Sequence, residues 1–322
     1  MGEDVAYLLL HLGVPFESPR SEHIIEANRA AKAMGIRLLR VPLLMRPPHS
    51  PNHRYFFRFR DGHADEAIAI RVAESVLYGM ELSFGPWGDS DFPNVVFGFP
   101  ASLLKRGKPI ELRTLIEVEE ERPRESRITD FPHMLLSSAA YTTDNVVAAA
   151  WRISKALFRS RRHREAARFL KASQNAFYVF PSAHGEVLAD TTATATSGGE
   201  QTRLEDAVIN AFKIIEALIG DPPRDDRKFF EKLRAIGVDP LEPIGYRSAQ
   251  PLHEIIREMN RARDRKAAHG GTPDRSLLVV DVLEYQVCAR YVLVCALQAY
   301  LGEPVFNWSR RRRPSVRRTS TP

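Results

Sequence analysis

The chain is 322 residues long, 44% hydrophobic and 27% charged, with a formal net charge of +6 at pH 7. This length allows two domains or one large one, and the hydrophobic share is ordinary for a folded protein. All of the excess charge lies in Arg310, Arg311, Arg312, Arg313, Arg317 and Arg318, so residues 1–308 are formally neutral and net charge alone is no argument for nucleic acid.

The opening segment, Met1 to Gly13, has acids where a signal peptide needs positive charge, and its apolar run is short. Ser21 is placed to cap a helix that runs to Met34 and stops at Gly35. Ile36 to Val41 reads as a strand. Arg54 to Arg60 alternates aromatic and basic residues, the pattern of a strand with two unlike faces. Asp61-Gly62 marks a turn, and Ala64 to Tyr78 reads as a helix. Asn94 to Phe99 and Ile110 to Val118 read as further strands between Gly and Pro punctuation. Gly79, Gly85 and Gly88 lack the strand–loop–helix context and the Lys of a phosphate-binding loop. Trp87 and Trp308 read as packing residues. The charged run Glu117 to Arg127 is a boundary, and residues 1–135 form a mixed α/β domain whose role the sequence does not disclose.

From about Thr142 the pattern changes to long helical periods. Thr142 to Asp144 can cap a helix through Trp151 and Leu157, and a second helix covers Arg164 to Phe177. Ala189 to Gly199 reads as a loop. Leu204, Val208, Phe212, Ile215 and Ile219 then recur at threes and fours up to Gly220. Asp226 to Ile236 and Pro251 to Ala268 form two more helices. Leu277 to Leu301 is strongly apolar, but Asp281, Glu284, Gln286, Arg290 and Gln298 interrupt it, so it reads as a buried core helix and not a membrane span. The fold class is therefore α+β: a mixed domain at 1–135, an all-helical bundle at 142–303, and a basic tail at 309–322 expected to be disordered. Cys288 and Cys295, about 10 Å apart along one helix, are too distant for a disulfide. No Cys/His cluster has zinc-ligand spacing, so neither metal nor cofactor is expected, and the chain reads as cytoplasmic.

Two stretches carry chemistry. Trp151 to Lys171 holds Arg152, Lys155, Arg159, Arg161, Arg162, Arg164, Arg168 and Lys171 against Glu165 alone. Such a run forms a solvated helix face or an RNA contact, and Arg159, Arg161, Arg162 and Arg164 are its candidate RNA-binding residues. His163 reads as a solvated member of the run.

The second stretch is Arg263 to Gly271. It places a guanidinium, a carboxylate and an imidazole within one and a half helical turns of a glycine stop. An Arg can hold a phosphodiester while a His moves a proton. An Arg followed by a His at similar spacing occurs five times: Arg46 with His53, Arg58 with His63, Arg127 with His133, Arg247 with His253, and Arg263 with His269. Spacing alone therefore selects none of them. Only the last has an acid directly after the Arg and lies between two long helices. Arg263 and His269 do not share one face of an ideal helix, whereas Arg265 and His269 do. Cations in the last turn of a helix also stabilise its dipole without further function. His253 reads as a surface residue.

The stretch Ala207 to Gly220, with Ala211-Phe212-Lys213-Ile214-Ile215-Glu216-Ala217-Leu218 at its centre, resembles the first helix of the HEPN family of small helical domains. Met259 to His269-Gly270 resembles that family's Arg-polar-x4-His motif, and Leu277 to Leu301 its last helix. The resemblance covers roughly residues 200–303 and extends to the helices from 142, so that 142–303 is the HEPN-like domain. It implies a metal-independent endoribonuclease that dimerises so that two motifs face one RNA, or a non-catalytic relative serving as a binding or assembly module. Carried onto this chain, Arg263 would hold the scissile phosphate, His269 would act as acid or base, and Asp264 would orient one of them, with Glu216 and Arg265 as possible support. Asp264 departs from the Asn or His of the family pattern and puts a negative charge beside the phosphate.

Overall fold

A computed structural model describes residues 5–12, 21–39, 53–59, 66–84, 101–106, 127–129, 144–177, 198–244, 250–268 and 277–303. Most of these residues are helical, and the chain divides into two units, 1–159 and 160–322.

In the first unit, strands β1 (Val5–Leu12), β2 (Ile36–Leu39), β3 (His53–Phe59), β4 (Ala101–Arg106) and β5 (Arg127–Thr129) form an antiparallel sheet in the order β2-β3-β1-β4-β5. The expected strand at 54–60 is β3. Its two faces differ as the alternation requires, with Phe57 and Phe59 buried and Arg58 between them half-buried. The strands expected at 94–99 and 110–118 lie outside the described residues. β1 was not anticipated. It is the central strand, and its Leu8-Leu9-Leu10 run is continuous, without the period-two alternation that marks a strand in sequence.

Helix α1 (Ser21–Ala33) passes through a turn at Gly35, whose φ of 72° is the left-handed conformation that glycine adopts at least cost, into β2. Helix α2 (Glu66–Phe84) extends a turn and a half beyond the expected stop at Tyr78. The reason is the closeness of helix α3 (Asp144–Arg159), which packs on α2 and α1. A Cβ on Gly79 would lie 2.2 Å from Ser154 Oγ and 2.8 Å from the Ala150 carbonyl oxygen, so Gly79 sits within the helix where only a bare Cα fits. At an open helix position Gly→Ala adds up to about 1 kcal/mol of stability. Here the added methyl meets backbone, and Gly79→Ala is expected to cost about 2 kcal/mol, read as a lowered urea midpoint. Trp151 on α3 is fully buried, edge-on to Phe57 at 6.2 Å. The helix expected to open the 142–303 domain thus makes its contacts within the first unit.

The second unit is all-helical among its described residues: α4 (Arg161–Ala176), α5 (Gly198–Ile219), α6 (Asp226–Ala235), α7 (Leu252–Ala268) and α8 (Val279–Leu301). α5 is the hub, packing on α4, α7 and α8 through Leu204, Val208, Phe212, Ile215 and their neighbours. Asp225 caps α6 by accepting from the Lys228 backbone at 2.8 Å. α8 is buried on nearly all sides from Val279 to Leu297, as its interrupted apolar run implied. Gly302 closes it in the left-handed conformation. No helix among the described residues is long and apolar enough to cross a membrane.

A buried polar clasp ties three of these helices. Gln286 Nε2 on α8 donates to the carbonyl oxygens of Ser173 and Phe177 at the end of α4, at 3.2 and 2.7 Å. Ser173 Oγ donates in turn to the Ala207 carbonyl of α5 at 2.7 Å.

Candidate functional site

α5 and α7 bring together three of the expected site residues. Phe212 and Glu216 are four apart on α5, so ring and carboxylate project from one face a turn apart. From α7, the Arg263 guanidinium lies over the Phe212 ring with Cζ 4.3 Å from its centroid. Arg263 Nη1 donates to Glu216 Oε1 at 2.5 Å. Its Nε and Nη2 both donate to Asp264 Oδ1, at 3.1 and 2.8 Å. Phe212 is fully buried, whereas side-chain exposure rises from 24% at Arg263 to 35% at Glu216 and 58% at Asp264. Asp264 is therefore the partner most open to exchange with water or with another anion.

Burial by itself lowers the Arg263 pKa. The Asp264 hydrogen bond and the Glu216 charge outweigh it, and the guanidinium ends above its ordinary value, a fixed cation. One cation between two carboxylates leaves the cluster net negative. In this arrangement the site orients a guanidinium rigidly, on a ring below and carboxylates at its edges. Asn260, one turn earlier on α7, has a buried Oδ1 with no hydrogen-bond donor among the described residues.

His269, the expected acid or base, lies outside the described residues, as do the Gly270-Gly271 stop and the 309–322 tail. The side chain of Arg265 does too, although its backbone continues α7. Among the described residues, no group of three His, Cys, Asp or Glu side chains is placed to share a metal ion.

The basic run is less uniform than its sequence. Arg159 is exposed at the end of α3. Arg161 is exposed and pairs with Glu165 at 2.7 Å, Arg162 reaches the Leu218 carbonyl at 3.5 Å, and Arg164 is half-buried. Arg162 thus meets the end of α5 two residues beyond Glu216, where Lys232 also donates to the carbonyl oxygens of Ile219 and Asp221. Cations gathered at a helix C-terminus complement its dipole.

Lys171 and His163 instead turn into the bundle. His163, read from sequence as solvated, has no exposed surface. Its Nδ1 bonds Ser160 Oγ at 2.6 Å, and its ring lies against Tyr300 with centroids 5.0 Å apart. Burial lowers its pKa to about 4; the Arg162 charge adds to this and a backbone contact at Ala296 opposes it. The missed signal was the helical period: Ala166, Ala167 and Leu170 lie three, four and seven residues on and are buried with it. His253 is half-buried, bonding the Pro240 carbonyl at 3.0 Å and edge-on to Phe230.

Cys288 and Cys295 are free and buried, and burial raises both thiol pKa values, that of Cys295 to about 11.

Compared with protein-family models, with characterised proteins and with solved structures, the chain has no significant match.

Proposed function

We propose that the helical second unit is a HEPN-like domain that binds and cleaves RNA without a metal, working as a homodimer in the cytoplasm. Arg263 holds the scissile phosphate. His269 takes the 2′-hydroxyl proton or gives one to the leaving oxygen, and Arg161, Arg162 and Arg164 add phosphate contacts, with Arg159 from the end of α3. The observation that supports this reading most is the seat built for Arg263. A residue singled out from sequence meets Glu216 on a second helix, 47 positions away, over a buried aromatic ring. A guanidinium held in this way is pre-oriented for a phosphodiester, which an Arg accepts through paired N–H donors.

The test is to incubate the full chain with RNA in EDTA beside the His269→Ala and Arg263→Met variants. Cleavage by the unaltered chain that persists in EDTA and disappears in both variants is expected. Cleavage that EDTA abolishes, or that survives His269→Ala, overturns the metal-free mechanism.

A second reading has its own observation. Arg263 is already satisfied by two carboxylates of its own chain, as a purely structural ion pair would be. On that reading the helices form a non-catalytic dimerisation or docking module. Absence of any RNA chemistry, together with a stability loss above about 1 kcal/mol in His269→Ala, favours it.

A further inference from the structure

The proposed activity leaves one residue in an awkward place. Asp264 occupies the Nε–Nη2 edge of Arg263, the side on which a guanidinium offers two parallel donors to an oxyanion. It does so with a single oxygen, Oδ1, that accepts both bonds. Adjacent residues on a helix do not face each other, so this contact depends on the reach of the long Arg263 side chain. Glu216 approaches the other terminal nitrogen, Nη1, from α5. The two carboxylates therefore differ in kind. Glu216 comes from the same helix face as the ring that carries the guanidinium and is the less exposed. Asp264 comes from the neighbouring position on α7 and is more than half exposed.

Resting on the RNA-cleaving reading above, we propose that Asp264 is an internal competitor for the phosphate seat: it holds the Arg263 fork when RNA is absent and swings into solvent when a backbone phosphate takes its place. Glu216 stays as the positioning partner. The exchange replaces one anion on the fork by another, so Arg263 is never left without a counter-charge, and the exposed Asp264 carboxylate regains its hydration. Such an internal anion raises the threshold for engagement. A single weakly held phosphate does not displace it, whereas a polymer anchored at several phosphates by the basic residues of α4 does. The ligand class is therefore a polyanionic RNA strand and not a mononucleotide.

Binding of fluorescently labelled single-stranded RNA of mixed sequence tests this, using the full chain in EDTA with His269→Ala as a common background to prevent cleavage. Asp264→Asn removes the charge but keeps the shape and is expected to bind about fivefold tighter, the ratio for about 1 kcal/mol at a partly exposed charge pair. Asp264→Glu keeps the charge and is expected to bind like the parent. Combining Asp264→Asn with Arg263→Met should erase the gain. Unchanged or weaker binding by Asp264→Asn, while the parent binds RNA through Arg263, overturns the competitor role and leaves the RNA reading intact. Failure of every form to bind RNA overturns both.

Discussion

Between pH 7 and pH 4.5 the second unit is expected to lose about 2 kcal/mol of stability through His163 alone. The unfolded chain carries this imidazole at its ordinary pKa of 6.5, while the folded chain holds it at about 4. Well above pH 6.5 both states are neutral at this position, and the buried ring costs nothing in protonation. As the pH falls through 6.5 the unfolded state gains a proton that the folded state refuses, and stability declines with each further unit until about pH 4, below which the loss levels off. The ring cannot simply accept the proton in place. It is fully buried, Nδ1 is committed to Ser160, and the neighbouring Arg162 is already a cation. Urea unfolding followed by circular dichroism across this range reads the effect. His163→Gln retains hydrogen-bonding capacity without titrating, so the difference between parent and variant isolates the imidazole from the carboxylates that titrate in the same range. Parallel pH profiles for the two would show that His163 reaches water or a counter-anion in the folded state.

The second large effect is expected at Phe212. Phe212→Ala removes a fully buried ring from the hub helix and should cost about 3–5 kcal/mol, enough to unfold the unit at moderate temperature. Two contributions combine there, a cavity in the core of α5 and the loss of the surface on which Arg263 lies at 4.3 Å. Phe212→Leu separates them. It keeps much of the volume, so its cost should be about 1–1.5 kcal/mol, yet it leaves no aromatic face for the guanidinium. On the RNA-cleaving reading, the Leu variant melts near the parent temperature and loses activity out of proportion. Equal loss of stability and activity in Phe212→Leu would assign the ring to packing alone.

Much of the fold was legible because periodicity and punctuation agree. The threes and fours from Leu204 to Ile219 are the buried stripe of α5, Gly35 is the left-handed exit of α1, and the aromatic–basic alternation of β3 is a buried row beside a more exposed one. The failures have physical causes too. β1 escaped notice because its Leu8-Leu9-Leu10 run is continuous and lacks the alternation of a half-buried strand. α2 overran its glycine because Gly79 answers to α3, a constraint from 71 positions further along the chain. At the site, the Arg-Asp pair and the helices bearing it were readable. Glu216 entered as possible support only through the family resemblance, since from the residues alone a lone acid at the edge of an apolar face looks the same whether it meets water or a guanidinium. His163 shows the converse: among eight basic neighbours its type argued for solvent, while its place in the helical period argued for the core, and the period prevailed.

α8 is buried around nearly its whole circumference, so burial alone does not say which side should face α4. Rotate the helix by one residue and Val, Leu and Ala still meet Val, Leu and Ala, but Gln286 turns through 100° and loses Ser173 and Phe177 together. A buried amide without partners costs about 1–3 kcal/mol, so the alternative rotation carries a penalty that no apolar side chain imposes. The clasp thus acts as a key cut at one position, favouring one rotation of α8 among those that its apolar side chains alone would accept.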